Sequence, residues 1–282
     1  MTEPLDFLTR LGAEGDAQVD LAGAALALAA LDRPGATPEP YLATLGRLVQ
    51  DMSADARTAA TALERAGALR DLLCHQHGFT GDQENYDDPD NANLMSVIER
   101  RRGLPVALSI IYIHTARTLG WPAVGLNFPA HFLIRLEGLA GDRAILDPFH
   151  DGAVLDAGGL RRLIKEIAGP AGELTPEFYQ PVSDRAILVR LLNNIRSRAL
   201  KAADIPRAID CLNRLVRLEP LNAPLWYELG MLEIHRNRLV FGRNALEKCL
   251  MLLDLEHPST DNNRDMRQRV LDTLSEVSSN LD

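Results

Sequence analysis

The chain has 282 residues, of which 46% are hydrophobic and 24% are charged, a balance typical of globular proteins that excludes a disordered chain. Thirty Lys and Arg residues against 39 Asp and Glu residues give a formal net charge of −9. No run of basic residues offsets this charge on one face. Because nucleic-acid-binding surfaces are basic, we expect no nucleic-acid partner.

The N-terminus and the apolar segments indicate neither export nor membrane insertion. The segment Met1–Asp6 is acidic, whereas a secretory signal begins with basic residues. The longest apolar run, Leu21–Leu31, is too short to cross a bilayer. The three cysteines, Cys74, Cys211 and Cys249, are widely spaced and form no CxxC pair, which favours free thiols in a reducing compartment. We therefore predict a cytoplasmic protein without membrane contact.

Helical periodicity runs through the first part of the chain. Apolar residues recur at spacings of three and four in two stretches that end near Met52 and Leu73. A short amphipathic helix is predicted from Asn93 to Arg102, and an almost wholly apolar helix from Val106 to Leu119. A helix that is apolar on all sides is usually buried. Gly120 suits the C-terminal cap of this helix.

The middle of the chain changes to a strand pattern. Three apolar segments are predicted as strands: Ala123–Leu126, His131–Leu136 and Ala144–Asp147. The last two are separated by a turn that contains Gly138 and Gly141. Helices return from Leu160 to the end of the chain. This order predicts an α+β fold with a small antiparallel sheet.

The C-terminal part contains a weak internal repeat. Leu192 and Trp226 begin two units of similar pattern and lie 34 residues apart, the tetratricopeptide period. The closing residues Pro220 and Pro258 lie 38 apart, so about four extra residues are predicted near Arg236–Val240. The alternative is a generic helical bundle.

His131 and Asp147 form the arrangement best suited to chemistry. In an antiparallel hairpin whose turn centres on residue 139, the two side chains are cross-strand neighbours, directly opposed or one step off in register. A carboxylate beside an imidazole fixes its tautomer and raises its basicity, as in catalytic triads. The alternative is a purely structural hydrogen bond between two buried polar groups.

Four motifs resemble the transglutaminase-like superfamily: Gly103-Leu104-Pro105, Leu119-Gly120-Trp121-Pro122, Pro129-Ala130-His131-Phe132 and Leu146-Asp147-Pro148. The stretch Glu99–Pro105 is similar to the superfamily's bacterial SirB-like branch with C-terminal tetratricopeptide repeats. The resemblance implies a papain-like core of a buried helix plus a small antiparallel sheet over residues 85–180. It also implies a helical region at residues 1–84 and repeat helices at residues 181–282.

The resemblance further implies that the catalytic nucleophile is lost. Catalytic members carry a cysteine at the start of the buried helix, and a histidine and an aspartate at the positions of His131 and Asp147. Here Pro105 stands at the cysteine position, and proline has no nucleophilic atom. Ser109, one helical turn later, could substitute if its hydroxyl reached His131. Otherwise this serine is expected to bond a backbone carbonyl of its own helix.

Two functions fit this pattern. We predict a non-catalytic protein that acts as a protein-interaction or regulatory module through its repeats and its remnant cleft, with a protein or peptide partner. The alternative is an amidase, peptidase or acyltransferase in which His131 is the general base, Asp147 orients it, and Ser109 or a water attacks. The sequence has no phosphate-binding glycine motif, nucleotide fingerprint or metal-ligand spacing, so we expect no cofactor and no metal.

Overall fold

The computed structural model describes residues 4–14, 18–255 and 261–279. The chain divides into two compact units, one formed by residues 16–191 and the other by residues 1–15 together with 192–282. The division follows from the contacts within each unit and does not test the domain boundaries expected at residues 84 and 180, which stay predictions.

Helices make up most of the described chain. In chain order they are α1 (Pro4–Glu14), α2 (Leu21–Leu31), α3 (Glu39–Gln50), α4 (Ala54–Arg57), α5 (Ala62–Arg70), α6 (Leu94–Arg100), α7 (Pro105–Thr118), α8 (Ala157–Ala168), α9 (Asp184–Lys201), α10 (Ile205–Leu218), α11 (Ala223–His235), α12 (Leu239–Leu255) and α13 (Asp261–Ser279). A π-helical turn, Asp71–Gln76, continues α5. The strands are β1 (Thr80–Gly81), β2 (Arg102–Gly103), β3 (Ala123–Leu126), β4 (Ile134–Glu137), β5 (Arg143–Asp147), β6 (Ala153–Leu155) and β7 (Pro181–Val182).

Five of these strands form an antiparallel sheet in the order β6-β5-β4-β3-β7, and β1 pairs with β2 in a separate parallel ribbon. On the sheet, α8 contributes Leu160 and Ile164 to an apolar cluster with Leu126, Phe128 and Leu133. The predicted α+β fold class, with a small antiparallel sheet and helical flanks, is confirmed.

The hairpin register differs from the prediction. Ile134 faces Leu146, which centres the turn on residue 140 rather than 139. β4 begins at Ile134, so His131 lies in the preceding loop and not on the strand. The cause is a tight bend in which the His131 N–H donates to the Pro129 carbonyl at 2.7 Å and Ala130 adopts a φ of 52°. This backbone cannot continue a strand.

Helix α7 forms the core of the 16–191 unit. It is buried along nearly its whole length and packs against α2, α3 and β3, as its apolar sequence predicts. Leu104 is extended and Pro105 takes the first helical position, where a missing N–H costs nothing. Gly120 has a φ of 76° and ends the helix in the left-handed conformation.

The start of α7 is held by the polar loop that precedes α6. The Leu104 N–H donates to the Asn91 carbonyl at 2.8 Å. Arg100, at the end of α6, reaches back to carboxylates of the same loop, 3.3 Å from Asp82 and 2.9 Å from Asp88. The Glu99–Pro105 stretch therefore tethers two helix ends to one loop.

The 34-residue period recurs in the turns between helices of the second unit. Ala203 and Asn237 lie 34 residues apart, and both adopt left-handed backbone, with φ values of 54° and 58°. α10 and α12 begin two residues after these positions, and the turns before them have equal length. The extra residues expected near Arg236–Val240 are therefore not there. α12, with 17 residues against 14 in α10, is the longer element. Pro258 lies outside the described residues, and the tetratricopeptide assignment stays a prediction.

Of the helices in the described ranges, none combines the length and the apolar character that a bilayer crossing requires.

A buried asparagine should contribute strongly to the stability of the 16–191 unit. The Asn93 Oδ1 accepts from the Met95 and Ser96 N–H groups at 3.1 and 3.2 Å, and its Nδ2 donates to the Ala29 carbonyl at 3.1 Å. We expect Asn93→Ala to lower the free energy of unfolding by about 2 kcal/mol in urea denaturation. Asn222→Ala is the matched control, because Asn222 precedes α11 without a side-chain cap bond. Its expected loss is below about 0.5 kcal/mol, and equal losses would contradict the assignment.

Candidate functional site

Asp147, at the end of β5, is the centre of the site. Its side chain is only 3% exposed, and each carboxylate oxygen accepts two hydrogen bonds. Oδ2 accepts from His131 Nε2 at 2.8 Å and from His150 Nδ1 at 2.7 Å. Oδ1 accepts from the backbone N–H groups of Phe149 at 3.0 Å and His150 at 3.3 Å. The structure therefore brings His131 and Asp147 together, as the sequence predicts, and adds a second imidazole.

His131 reaches this carboxylate from the bend before β4. The residue is 9% exposed, and its ring meets the Phe149 ring edge-on, with 6.0 Å between centroids. Its backbone carbonyl accepts from Arg190 Nη2 at 2.7 Å. Because Nε2 faces the carboxylate, Nε2 donates the hydrogen bond to Oδ2, and Nδ1 is the ring nitrogen that does not contact Asp147.

His150, which is not among the site residues predicted from the sequence, lies in the turn after β5. Its side chain is half exposed, and its ring stacks on that of His131 with centroids 5.5 Å apart. The signal was present in the sequence Asp147-Pro148-Phe149-His150, because Asp-Pro favours a turn that brings residues three apart together.

This turn is held in place by β1. The Gly81 N–H donates to the Phe149 carbonyl at 3.0 Å. A Cβ at Gly81 would lie 2.5 Å from the Phe149 ring and carbonyl, so only glycine allows this approach.

The two imidazoles keep the carboxylate ionised. Burial raises the pKa of Asp147, but the hydrogen bonds and charges of His131 and His150 outweigh burial and hold that pKa well below its usual range. The hydrogen bond to Asp147 raises the pKa of His150 above its ordinary value. The site is thus a buried anion compensated by two imidazoles and two backbone amides.

Neither the start of α7 nor Ser109 supplies a nucleophile to this cluster. Pro105 is buried at the first position of α7. Ser109 is fully buried, and its Oγ has no hydrogen-bond partner among the described residues, so it bonds neither to His131 nor to a carbonyl of its helix. Both expectations for Ser109 are therefore unmet. Burial and the nearby Asp151 carboxylate raise the pKa of the Cys74 thiol, which makes it a poor nucleophile.

The family model described as the transglutaminase-like superfamily matches residues 39–193, a range that contains all four sequence motifs and the whole Asp147 cluster. The chain belongs to this superfamily. It is 29% identical to a UPF0162 protein of Xylella fastidiosa strain Temecula1 over 96% of both chains, and 33% identical to one of strain 9a5c over 75% of both. It is also 27% identical to the protein SirB1 of Salmonella typhimurium, over 56% of this chain and 58% of that protein. The resemblance to the SirB-like branch is confirmed.

Loss of the Asp147 charge should destabilise the fold. Asp147→Asn removes the charge on which four N–H groups converge and replaces one acceptor oxygen by an NH₂ group, which then faces two backbone N–H groups or forces both imidazoles to change tautomer. We expect the free energy of unfolding to fall by about 3 kcal/mol in urea denaturation.

The matched control is Asp71→Asn. Asp71 pairs with His75 at 3.1 Å, but both side chains are well exposed, at 67% and 60%. Its loss should stay below about 0.5 kcal/mol. If the two variants are equally stable, Asp147 is not the organising group of the site.

Proposed function

We propose that this protein is a non-catalytic member of the transglutaminase-like superfamily that acts as a protein-interaction or regulatory module. The observation that carries the proposal is Pro105, which is buried at the first position of α7, where the resemblance places the nucleophilic cysteine. Ser109 does not replace it, because its hydroxyl makes no hydrogen bond to His131. The orienting half of a triad is present without a group that could form a covalent intermediate.

The helices of the second unit support the interaction role. Repeated helix pairs commonly present surfaces that bind peptides or proteins. Three large apolar side chains of this unit are strongly exposed: Leu221 at 72%, Phe241 at 56% and Leu255 at 68%. We propose that the tetratricopeptide-like helices bind a protein or peptide segment with such apolar residues. The free thiols Cys74, Cys211 and Cys249 suit the cytoplasmic location that is part of this proposal.

Returning a cysteine to position 105 tests whether a nucleophile is missing there. In a Cys74→Ser background, the Pro105→Cys thiol should titrate at least about one pKa unit below an ordinary cysteine, because the helix N-terminus and His131 favour the thiolate. The ultraviolet absorbance of the thiolate gives this pKa without a labelling reagent. The remaining thiols, Cys211 and Cys249, are fully buried.

The control for this experiment adds His131→Ala to the same background. The pKa of the thiol should then rise, because the imidazolium partner is gone while the helix N-terminus remains. A thiol pKa that does not respond to His131 would show that position 105 is not the nucleophile position and would remove the basis of the proposal.

Hydrolysis or acyl transfer with water as the nucleophile is the second candidate. The observation that favours it is the hydrogen bond between His131 Nε2 and Asp147 Oδ2 at 2.8 Å, which would leave Nδ1 of a neutral ring to act as the base. Peptides, amides and thioesters are the substrates to test. Turnover that is lost in His131→Ala and kept in His75→Ala would overturn the non-catalytic proposal, and no turnover of any of them would support it.

Phe241→Asp tests the interaction role. A partner captured stoichiometrically by the full chain should, once purified, bind it one to one, and Phe241→Asp should weaken that affinity at least about tenfold. Leu139→Asp is the control, because Leu139 is 78% exposed in the β4–β5 turn of the other unit. No stoichiometric partner, or equal binding by both variants, would contradict an interaction through these helices.

A further inference from the structure

Three side-chain atoms of the kind that bind metal ions converge at the site, although the sequence patterns predict no metal site. His131 Nε2, Asp147 Oδ2 and His150 Nδ1 lie within 4.8 Å of one another. We propose that these atoms bind one divalent transition-metal ion, with Zn²⁺ as the representative probe. This inference does not depend on the proposed function, since a metal site is compatible with a catalytic or a non-catalytic protein.

The resemblance to catalytic members of the superfamily accounts for His131 and Asp147, but it does not explain the second imidazole, His150. An acid–base pair needs one histidine on its carboxylate. Here His150 places Nδ1 on the same Oδ2 atom that His131 already occupies, at 2.7 and 2.8 Å. Two imidazoles directed at one carboxylate oxygen form the ligand set of a metal centre with two histidines and one carboxylate.

The distances suit a site that needs little rearrangement. Ligand atoms about 2.0–2.2 Å from a metal ion lie about 2.8–3.1 Å from one another in octahedral geometry and about 3.3–3.6 Å in tetrahedral geometry. The two observed nitrogen–oxygen distances, 2.8 and 2.7 Å, lie at or just below this range, and the two ring nitrogens lie within 4.8 Å of each other. His150 is half exposed, so its ring has room to move and the ion has a route from solvent.

The groups behind the ligands already orient them. The Phe149 and His150 N–H groups hold Oδ1 of Asp147, which directs Oδ2 at the two rings. Arg190 holds the backbone carbonyl of His131. Such outer contacts fix ligand direction in metal sites. On binding, each imidazole turns a lone pair to the ion and carries a proton only on its opposite ring nitrogen, so any second proton on a ring is released to solvent.

The donor set also selects the ion. Two nitrogens and one carboxylate oxygen suit Zn²⁺, Co²⁺ or Ni²⁺, whereas Ca²⁺ and Mg²⁺ prefer all-oxygen sites. Three protein ligands leave at least one coordination position for water or an added ligand.

The test is a calorimetric titration of the full chain after removal of metals with a chelator. We expect Zn²⁺ to bind one to one, with no comparable binding of Ca²⁺ or Mg²⁺. His150→Ala should lower the Zn²⁺ affinity at least about tenfold. His150→Gln keeps much of the side-chain volume and should show the same loss if the alanine variant folds poorly. Co²⁺ should give a visible spectrum without thiolate charge-transfer absorption, since no cysteine belongs to the site.

The matched control is His75→Ala, because His75 pairs with one carboxylate, Asp71, and with no second imidazole among the described residues. Zn²⁺ should raise the melting temperature of this variant as much as that of the wild type, and should raise that of the His150 variants by less at the same Zn²⁺ concentration. The proposal is overturned if the wild type binds no Zn²⁺ at one to one, or if both His150 variants bind it with unchanged affinity.

Discussion

The buried carboxylate of Asp147 needs its negative charge compensated, and this requirement organises the chain segments around the candidate site. Asp147 brings a carboxylate to a place where its side chain is 3% exposed, and an unpaired charge there would be strongly unfavourable. The four N–H groups that surround it come from the bend before β4 and the turn after β5. The positions of both segments are consequently linked, and Gly81 joins β1 to the same arrangement.

Helix α7 provides the second constraint, and it acts independently of the first. Its burial follows from an apolar surface on all sides, and its start is held by Asn91 and the ion pairs of Arg100. Neither the burial of this helix nor its start requires a cysteine at position 105. The fold and the His–Asp pair are therefore compatible with a proline at position 105, because neither depends on the chemistry of that side chain.

The sequence predicted those features that depend on periodicity. α7 and β3 were located almost to the residue because their apolar patterns are long or have clear turn signals at both ends. The start of β4 was misplaced because the left-handed conformation of Ala130 has no signal in the sequence: alanine rarely adopts it. The left-handed turn at Ala203 has no signal in the sequence for the same reason, although the apolar residues of the neighbouring helices show the 34-residue period.

The cluster around Asp147 was only half predicted for a related reason. Cross-strand reasoning finds partners on paired strands, and it pointed to His131. His150 contacts the carboxylate through a local turn, a relation that strand pairing does not describe. The unpartnered hydroxyl of Ser109 was not predictable either, because helix periodicity fixes the face of a residue and not its hydrogen bonds.

Pro105 has a consequence for the unfolded chain as well. A proline restricts its own backbone before folding, and at the first position of α7 it gives up no hydrogen bond in return. A proline in a compatible position typically stabilises a protein by about 0.4–1 kcal/mol through this loss of unfolded-state entropy. Any other residue at position 105, a cysteine included, would give the unfolded chain more backbone freedom. The same substitution would therefore shift the folding equilibrium toward the unfolded state, even if the folded structure did not change.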